Sequence, residues 1–419
     1  MDPYLFIIIA SGAIIVSHLF NVLAWRTNMP SVLMLIVLGL VLHQVIAYYG
    51  LGQPGPMVRQ VLNVLGISGL IMIVLEAALE LKLSVIRREL IIRSFFVALL
   101  TLVGTVAAIT FIIQYFVDAD LFRCLVYAVP LSIVSSAIVL PSVARLQRDR
   151  RDFMVFEATF SDIIGIMFFY FLVDDHTGSS PMRIALNLTG NVLLTVVVSV
   201  LASFLLLWVF QRIRSKVKFF LLIAVLMLLY ALGKKMNLSS LLIILIFGMM
   251  VSNQGLMFKG WVARFTGSST MLNIERELHL VTAETAFVVR TFFFLVFGLI
   301  IDVRRLLDQD VLMIGTAVTA AIYLVKALVV GALRVPGWRT VTLVAPRGLI
   351  TILLAYNIPD HLRIPDRDGS VLLMVILATS VIMMIGLMAN GRHHDLSTVE
   401  PSMLDSKDHL APPAPGGEQ

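Results

Sequence analysis

Charge is scarce in this chain: of 419 residues only 14% are Asp, Glu, Lys or Arg, while 59% are hydrophobic. A soluble fold of this length could not hide that much apolar surface, so the solvent is largely lipid. Cysteine is scarcer still. The single Cys124 excludes an internal disulfide and reads as a small apolar filler. The sequence holds no GxGxxG after a strand, no phosphate-cradling Gly-rich loop with its lysine, and no Cys/His metal spacing. That speaks against a nucleotide-driven pump and for no cofactor, and any work done must draw on a gradient. The net charge of +6 says little of nucleic acid, because the charges fall at the ends of apolar runs. The start, MDPYLFIIIASGAIIV, lacks a basic lead and a small-residue cleavage site, so it is expected to be a first spanning helix, not a removable signal.

Long apolar runs are what the chain has in abundance. A bilayer core takes roughly 20 apolar residues per helix, and on that ruler there are about thirteen spans. In order they are 4–25, 30–48, 60–81, 91–117, 122–144, 152–173, 184–211, 218–233, 238–252, 276–301, 311–333, 341–358 and 369–390. The expected fold class is an all-α polytopic membrane protein. An odd count puts the termini on opposite sides. With the N-terminus outside, the cytoplasmic loops hold 18 Lys and Arg residues, among them Arg148, Arg150, Arg334 and Arg339, and the opposite loops hold nine. That bias places the C-terminus in the cytoplasm. Residues 1–391 are expected to form the membrane domain. Residues 392–419, polar and ending APPAPGGEQ, are expected to be a disordered cytoplasmic tail.

Eight ionisable residues interrupt the apolar runs: Glu76, Glu80, Glu157, Asp162, Glu284, Arg290, Lys326 and Arg347. Such a side chain at mid-depth costs about 3 kcal/mol or more and normally faces protein or a water-filled cavity. Glu80 and Glu284 lie near span ends and are read as reaching the interface. Glu76 and Arg290 are deeper, and a structural ion pair is the plain reading for either. His18 and His43 read as hydrogen-bonded packing residues. Asp162 differs, lying ten residues past the start of span 6 and close to the midplane. At about 100° per residue, Glu157 points about 140° away from it, whereas Glu157 and Ser161 share a face. One carboxylate can therefore face a cavity and the other a neighbouring helix, for which Lys326 in span 11 is the mid-membrane cation.

Span 5 carries Ser132, Ser135, Ser136 and Pro141 in LSIVSSAIVLP. Serines that bond back to the preceding turn account for this as readily as a break does. In span 12, Arg347 stands between Pro346 and Gly348. A break there leaves unpaired backbone groups, tolerated only where they line a cavity or are buried in protein. Two interrupted spans, one in each half, point to a transporter site at an inverted-repeat interface.

At these residues the chain resembles the monovalent cation:proton antiporter superfamily, of the sodium/proton exchanger type, over about residues 5–390. NMPSVLMLIVLGLVL resembles the family's second helix and GLIMIVLEAALELKL its third, with Glu80 at the acidic position. SSAIVLP is similar to the unwound stretch of the fifth helix. LSSLLIILIFGMMVSN, FFFLVFGLIIDV and APRGLITILLA resemble later segments. The resemblance implies an inverted-repeat antiporter fold with unwound, crossing helices 5 and 12, and a homodimer through scaffold helices. It also implies a bacterial inner-membrane protein of pH homeostasis. For Asp162 it implies the site that takes the monovalent cation or the proton. Ser161 takes the preceding position, Asp in electrogenic members and commonly Asn in electroneutral ones. Glu157 matches a glutamate that pairs with a basic residue of the eleventh helix, here Lys326. Arg347 matches the arginine of the crossing helix. The chain departs in its Ser-Asp pair and in having no acid in the serine-rich stretch.

The implied mechanism needs one titrating carboxylate, which holds a proton or a cation but not both. Hard cations prefer oxygen, so Ser161, Ser135, Ser136, unwound carbonyls and water are expected to complete the shell. Rocking of a bundle with helices 5, 6, 11 and 12 would expose the site to each side in turn. Lys326 and Arg347 would neutralise acids and the carbonyl ends of broken helices. The expected function is exchange of a monovalent cation, sodium or lithium ahead of potassium, for protons, one for one because Ser161 cannot ionise. Rival readings are a sodium-coupled carrier of an organic anion, a potassium-selective efflux antiporter, a membrane sensor and a cation channel. No enzyme activity and no nucleic-acid or nucleotide partner is expected.

Overall fold

The computed structural model describes residues 3–27, 31–48, 67–69, 71–79, 88–144, 146–174, 194, 196–206, 218–235, 240–253, 268–300, 306, 308–364 and 369–390. Among these residues every regular element is a helix. Lipid offers backbone groups no partner, and a helix satisfies them within its own segment. Six helices among the described residues are long and apolar enough to cross a bilayer: Arg88–Val117, Leu121–Ser142, Arg148–Val173, Arg276–Leu299, Gln309–Ala332 and Ser370–Ala389. Shorter apolar helices lie in the other expected spans, including Ser31–Ile46, Ile67–Leu79 and Ser240–Ser252. Glu80 and the tail 392–419 lie outside the described residues.

Several helices overrun the apolar ruler at one end. Span 4 starts at Arg88, span 6 at Arg148 and span 10 at Ser268, each before its apolar run. The bilayer limits the apolar stretch, not the helix, which continues into the headgroup layer where Arg and Glu stay solvated.

Span 4 packs on spans 5, 6 and 11, and span 11 on spans 12 and 13, so these six form one bundle. Span 10 lies along span 2 with span 1 beside both, and span 8 lies on span 9. Ser17 and Thr291 share a 2.7 Å hydrogen bond across spans 1 and 10. His43 meets the Leu299 carbonyl at 2.6 Å, which fits its reading as a packing residue. His18, in contrast, is exposed on the outward face of its helix. Cys124 is fully buried in the bundle, as an apolar filler should be. Outward faces carry bare apolar side chains such as Phe111 and Leu328, the surface that lipid covers.

Candidate functional site

Both interrupted spans are broken in the structure. Span 5 consists of Leu121–Ser132 and Ser136–Ser142, joined by extended residues from Ile133 (ψ 127°) to Ser135 (ψ 108°). Span 12 consists of Trp338–Leu343 and Leu349–Tyr356. In span 12 Pro346, which lacks an N–H, lies within the break itself, whereas in span 5 Pro130 and Pro141 lie inside the two half-helices and not at the break. The two breaks lie against each other: the Ser135 N–H donates to the Pro346 carbonyl at 2.9 Å. Gly348 makes that approach feasible, because a Cβ there would sit 2.6 Å from the Ser135 hydroxyl and 2.7 Å from Ile138.

Span 6 runs unbroken past this junction and presents two residues to it. The Asp162 carboxylate accepts the Ser136 N–H through Oδ2 at 3.2 Å, and the Ser161 hydroxyl accepts the Val134 N–H at 3.0 Å. Amide groups freed by the break are thus satisfied by side chains from a different helix. Asp162 is 4% exposed, and its Oδ1 has no hydrogen-bond partner; the buried Ser135 hydroxyl has none either. A buried carboxylate oxygen with a spare lone pair and a spare hydroxyl are the kinds of donor that a proton or a hard cation takes.

The two carbonyl ends of the broken helices face cations. Arg347, with no exposed surface, donates Nε to the Leu131 carbonyl at 2.7 Å and Nη1 to Ala345 at 3.2 Å. Lys326 donates to the Val344 carbonyl at 2.8 Å. This is the sign that helix C-terminal ends favour. Lys326 also lies 2.8 Å from Glu157, with both side chains buried, a charge contact whose angles miss those of a hydrogen bond. The structure therefore brings Glu157 to Lys326 and gathers Asp162 and Ser161 of span 6 with Ser135 and Ser136 at the span 5 break. Arg347 lies at the junction itself.

Asp162 also borders a narrow cavity of about 20 Å³, room for about one water-sized guest. Its other walls are mainly apolar, from Ile73 and Val74 of span 3, Ile166 of span 6, Leu241 and Leu245 of span 9, and Ile350.

Sequence reasoning read Glu76 and Arg290 as ion-pair residues without naming their partners, and missed the ties of the span 12 break. Glu76 and Arg290 pair with each other at 2.8 Å, and Arg290 Nη1 also reaches the Ala137 carbonyl at 3.3 Å. Ala137 is four residues before Pro141, so its carbonyl has no helical N–H to accept; that proline was the available signal. The Arg347 N–H donates to the Thr379 hydroxyl at 3.1 Å, and the Tyr323 hydroxyl to the Thr379 carbonyl at 3.0 Å, which ties the span 12 break to spans 11 and 13. Only a Thr-Ser step inside an apolar run hinted at it. Glu284 is exposed, in keeping with its reading as an interfacial residue.

The profile of a protein family described as sodium/hydrogen exchanger, transmembrane, matches residues 7–390. No curated protein sequence matches the chain significantly. Among solved structures, the chain is similar to the sodium proton antiporter MjNhaP1 from Methanocaldococcus jannaschii at pH 8. The TM-score is 0.66 at 16% identity, covering 93% of this chain and 99% of that one. An electron-microscopy structure of the same antiporter gives 0.69 at 17% identity, covering 94% and 100%. At such identities the likeness speaks for the fold.

Proposed function

We propose, for a chain that belongs to the sodium/hydrogen exchanger family, that Asp162 is the carboxylate at which a monovalent cation and a proton compete. The chain is accordingly a membrane transporter for cation/proton antiport and not an enzyme. The observation that carries the finer reading is the buried, unpartnered Asp162 Oδ1 at the junction of the two breaks. Ser161, Ser135 and Ser136 supply further oxygens, with water and unwound carbonyls. Sodium or lithium, taken up partly dehydrated, suits this small setting better than the larger potassium ion. The cavity of about 20 Å³ beside Asp162 suits an ion and not an organic anion. Alternating access follows from rocking of the bundle of spans 4, 5, 6, 11, 12 and 13 against the remaining helices. During that motion Lys326 stays paired with Glu157, and Arg347 neutralises the carbonyl end at Leu131. With Ser161 beside it, Asp162 is the single acid free to alternate its load, so one cation exchanges for one proton.

In the cell we place residues 1–391 in the bacterial inner membrane as a homodimer, the N-terminus outside and the tail 392–419 in the cytoplasm. The test is reconstitution in liposomes, following internal pH as sodium, lithium and potassium are added in turn. Sodium and lithium should drive proton movement more strongly than potassium. Under a potassium/valinomycin clamp with sodium as the transported ion, the equilibrium should not move with voltage. A net charge carried across would feel about 2.3 kcal/mol per 100 mV, so a voltage-dependent equilibrium would refute the one-for-one count and make Glu157 a second carrier.

A further inference from the structure

Where span 5 joins span 6, and span 11 joins span 12, two basic segments come together. The turn after span 11 reverses through two left-handed residues, Arg334 at φ 49° and Gly337 at φ 71°. Gly337 is required twice over. Its backbone disfavours any side chain, and a Cβ there would lie 3.0 Å from the Arg150 guanidine Nε. Arg150, from the first turn of span 6, is therefore laid over this turn and links the two segments.

The surface so formed is unbalanced in charge. Arg148, Arg150, Arg334 and Arg339 are all exposed, and none forms an ion pair among the described residues. Among the described residues of this surface Arg151 pairs with Asp152 at 3.1 Å, and Asp149 is the other acid, against five arginines. Trp338 is 49% exposed beside these arginines, with the Arg339 guanidinium 5.6 Å above its ring. Span 11, which leads into this turn, carries exposed Leu324 and Leu328 one turn apart on one apolar face. Tryptophan settles at the level of lipid headgroups, which fixes the depth of the patch: arginines at the headgroup layer, leucines at the acyl chains. Guanidinium groups bind phosphate oxygens two at a time. A dissolved phosphate would use the arginines but not the leucines beneath.

We propose that this surface is a binding site for the headgroup of an anionic phospholipid, held by Arg150, Arg334 and Arg339 beside Trp338. The site does not depend on which ion the transporter carries. A basic residue close to an anionic membrane surface contributes about 1 kcal/mol, roughly fivefold in partition.

The test uses the full-length protein with Trp25, Trp208 and Trp261 replaced by Phe, leaving Trp338 as the reporter. In liposomes, quenching by brominated phosphatidylglycerol is compared with quenching by brominated phosphatidylcholine. The arginine-bearing protein should prefer the anionic lipid at least tenfold. Arg150→Gln, Arg334→Gln and Arg339→Gln together should bring the ratio close to one, whereas the three Lys substitutions should keep most of it. Adding millimolar inorganic phosphate should displace nothing. Equal quenching by both lipids, or a preference that the three glutamines leave unchanged, would overturn the proposal; displacement by phosphate would assign the patch to a dissolved anion and overturn it equally. If the Trp-depleted protein does not fold, the same comparison is made on protein with all tryptophans in place. Anionic lipid that co-purifies from a mixed membrane should then drop at least tenfold in the triple Gln variant, and an undiminished amount would sink the site.

Discussion

Two faces of span 6 carry acids five residues apart and treat them in opposite ways. On one face Glu157 meets Lys326 at 2.8 Å, and both are nearly sealed from solvent. On the other face Asp162 accepts the Ser136 N–H, keeps one oxygen without a partner and borders a cavity. A carboxylate with a full counter-charge next to it has no reason to change its load. One held by a single amide, within reach of a space that fits an ion, does. Burial alone therefore does not single out the proposed working acid; its oxygen without a partner does.

The sharpest way to break this contrast is Asp162→Asn. Asparagine keeps the size and can still accept the Ser136 N–H, but it neither ionises nor releases a proton. Cation-driven proton movement in liposomes should fall by at least a hundredfold, while the protein remains folded by circular dichroism and elutes unchanged. Exchange at near wild-type rate would move the working acid elsewhere, with Glu157 the next buried carboxylate to test.

The Glu157 side of the contrast is tested by stability. Removing one partner of a buried pair costs about 3–5 kcal/mol, because the other is left uncompensated. Lys326→Ala and Glu157→Ala should each destabilise by about that much in detergent unfolding. Lys326→Ala also strips the donor from the Val344 carbonyl, so it should be the worse of the two. The double change should recover part of the loss. Strictly additive losses would mean that the 2.8 Å contact has no energetic content.

How much of this was legible beforehand depended on how local the signal was. The apolar runs, the depth of Asp162 and the 140° separation of the two acids follow from composition and helical period, and the structure places Glu157 and Asp162 on different faces. The breaks were legible in part, since Pro346 and Gly348 mark the one in span 12, but serine back-bonding explained span 5 equally well; what decides it is that Asp162 and Ser161 offer acceptors to the freed amides. The partners of Arg347, Leu131 and Thr379, were not legible. They lie 216 and 32 residues away, and nothing in a single sequence says which apolar carbonyl will end a half-helix.

The pair between Glu76 and Arg290 gives an intermediate case, since both side chains are 18% exposed. Hydrogen bonds to charged groups contribute about 1.5–3 kcal/mol, so Arg290→Gln should cost about that much. Pro141→Ala in the same protein should soften the loss, because an N–H at position 141 can take over the Ala137 carbonyl. An unchanged penalty would mean that Arg290 acts through Glu76 alone.

The smallest effect is expected where the distance is shortest. Arg93 lies 2.7 Å from Glu89, one turn away on span 4, but the two side chains are 55% and 79% exposed. Water and salt screen such a pair, and both side chains lose freedom to hold it, so an i,i+4 contact contributes about 0.3–0.5 kcal/mol. Arg93→Ala should thus change stability about tenfold less, in kcal/mol, than Lys326→Ala does, although the ion-pair distances differ by only a tenth of an ångström. Raising salt from 0.1 to 1 M shortens the screening length from about 10 to about 3 Å. It should erase what little the outer pair contributes and leave the inner pair untouched. Similar losses for the two variants, or the same salt response, would show that separation and not burial governs these pairs. The contrast between the two faces of span 6 would then need another cause.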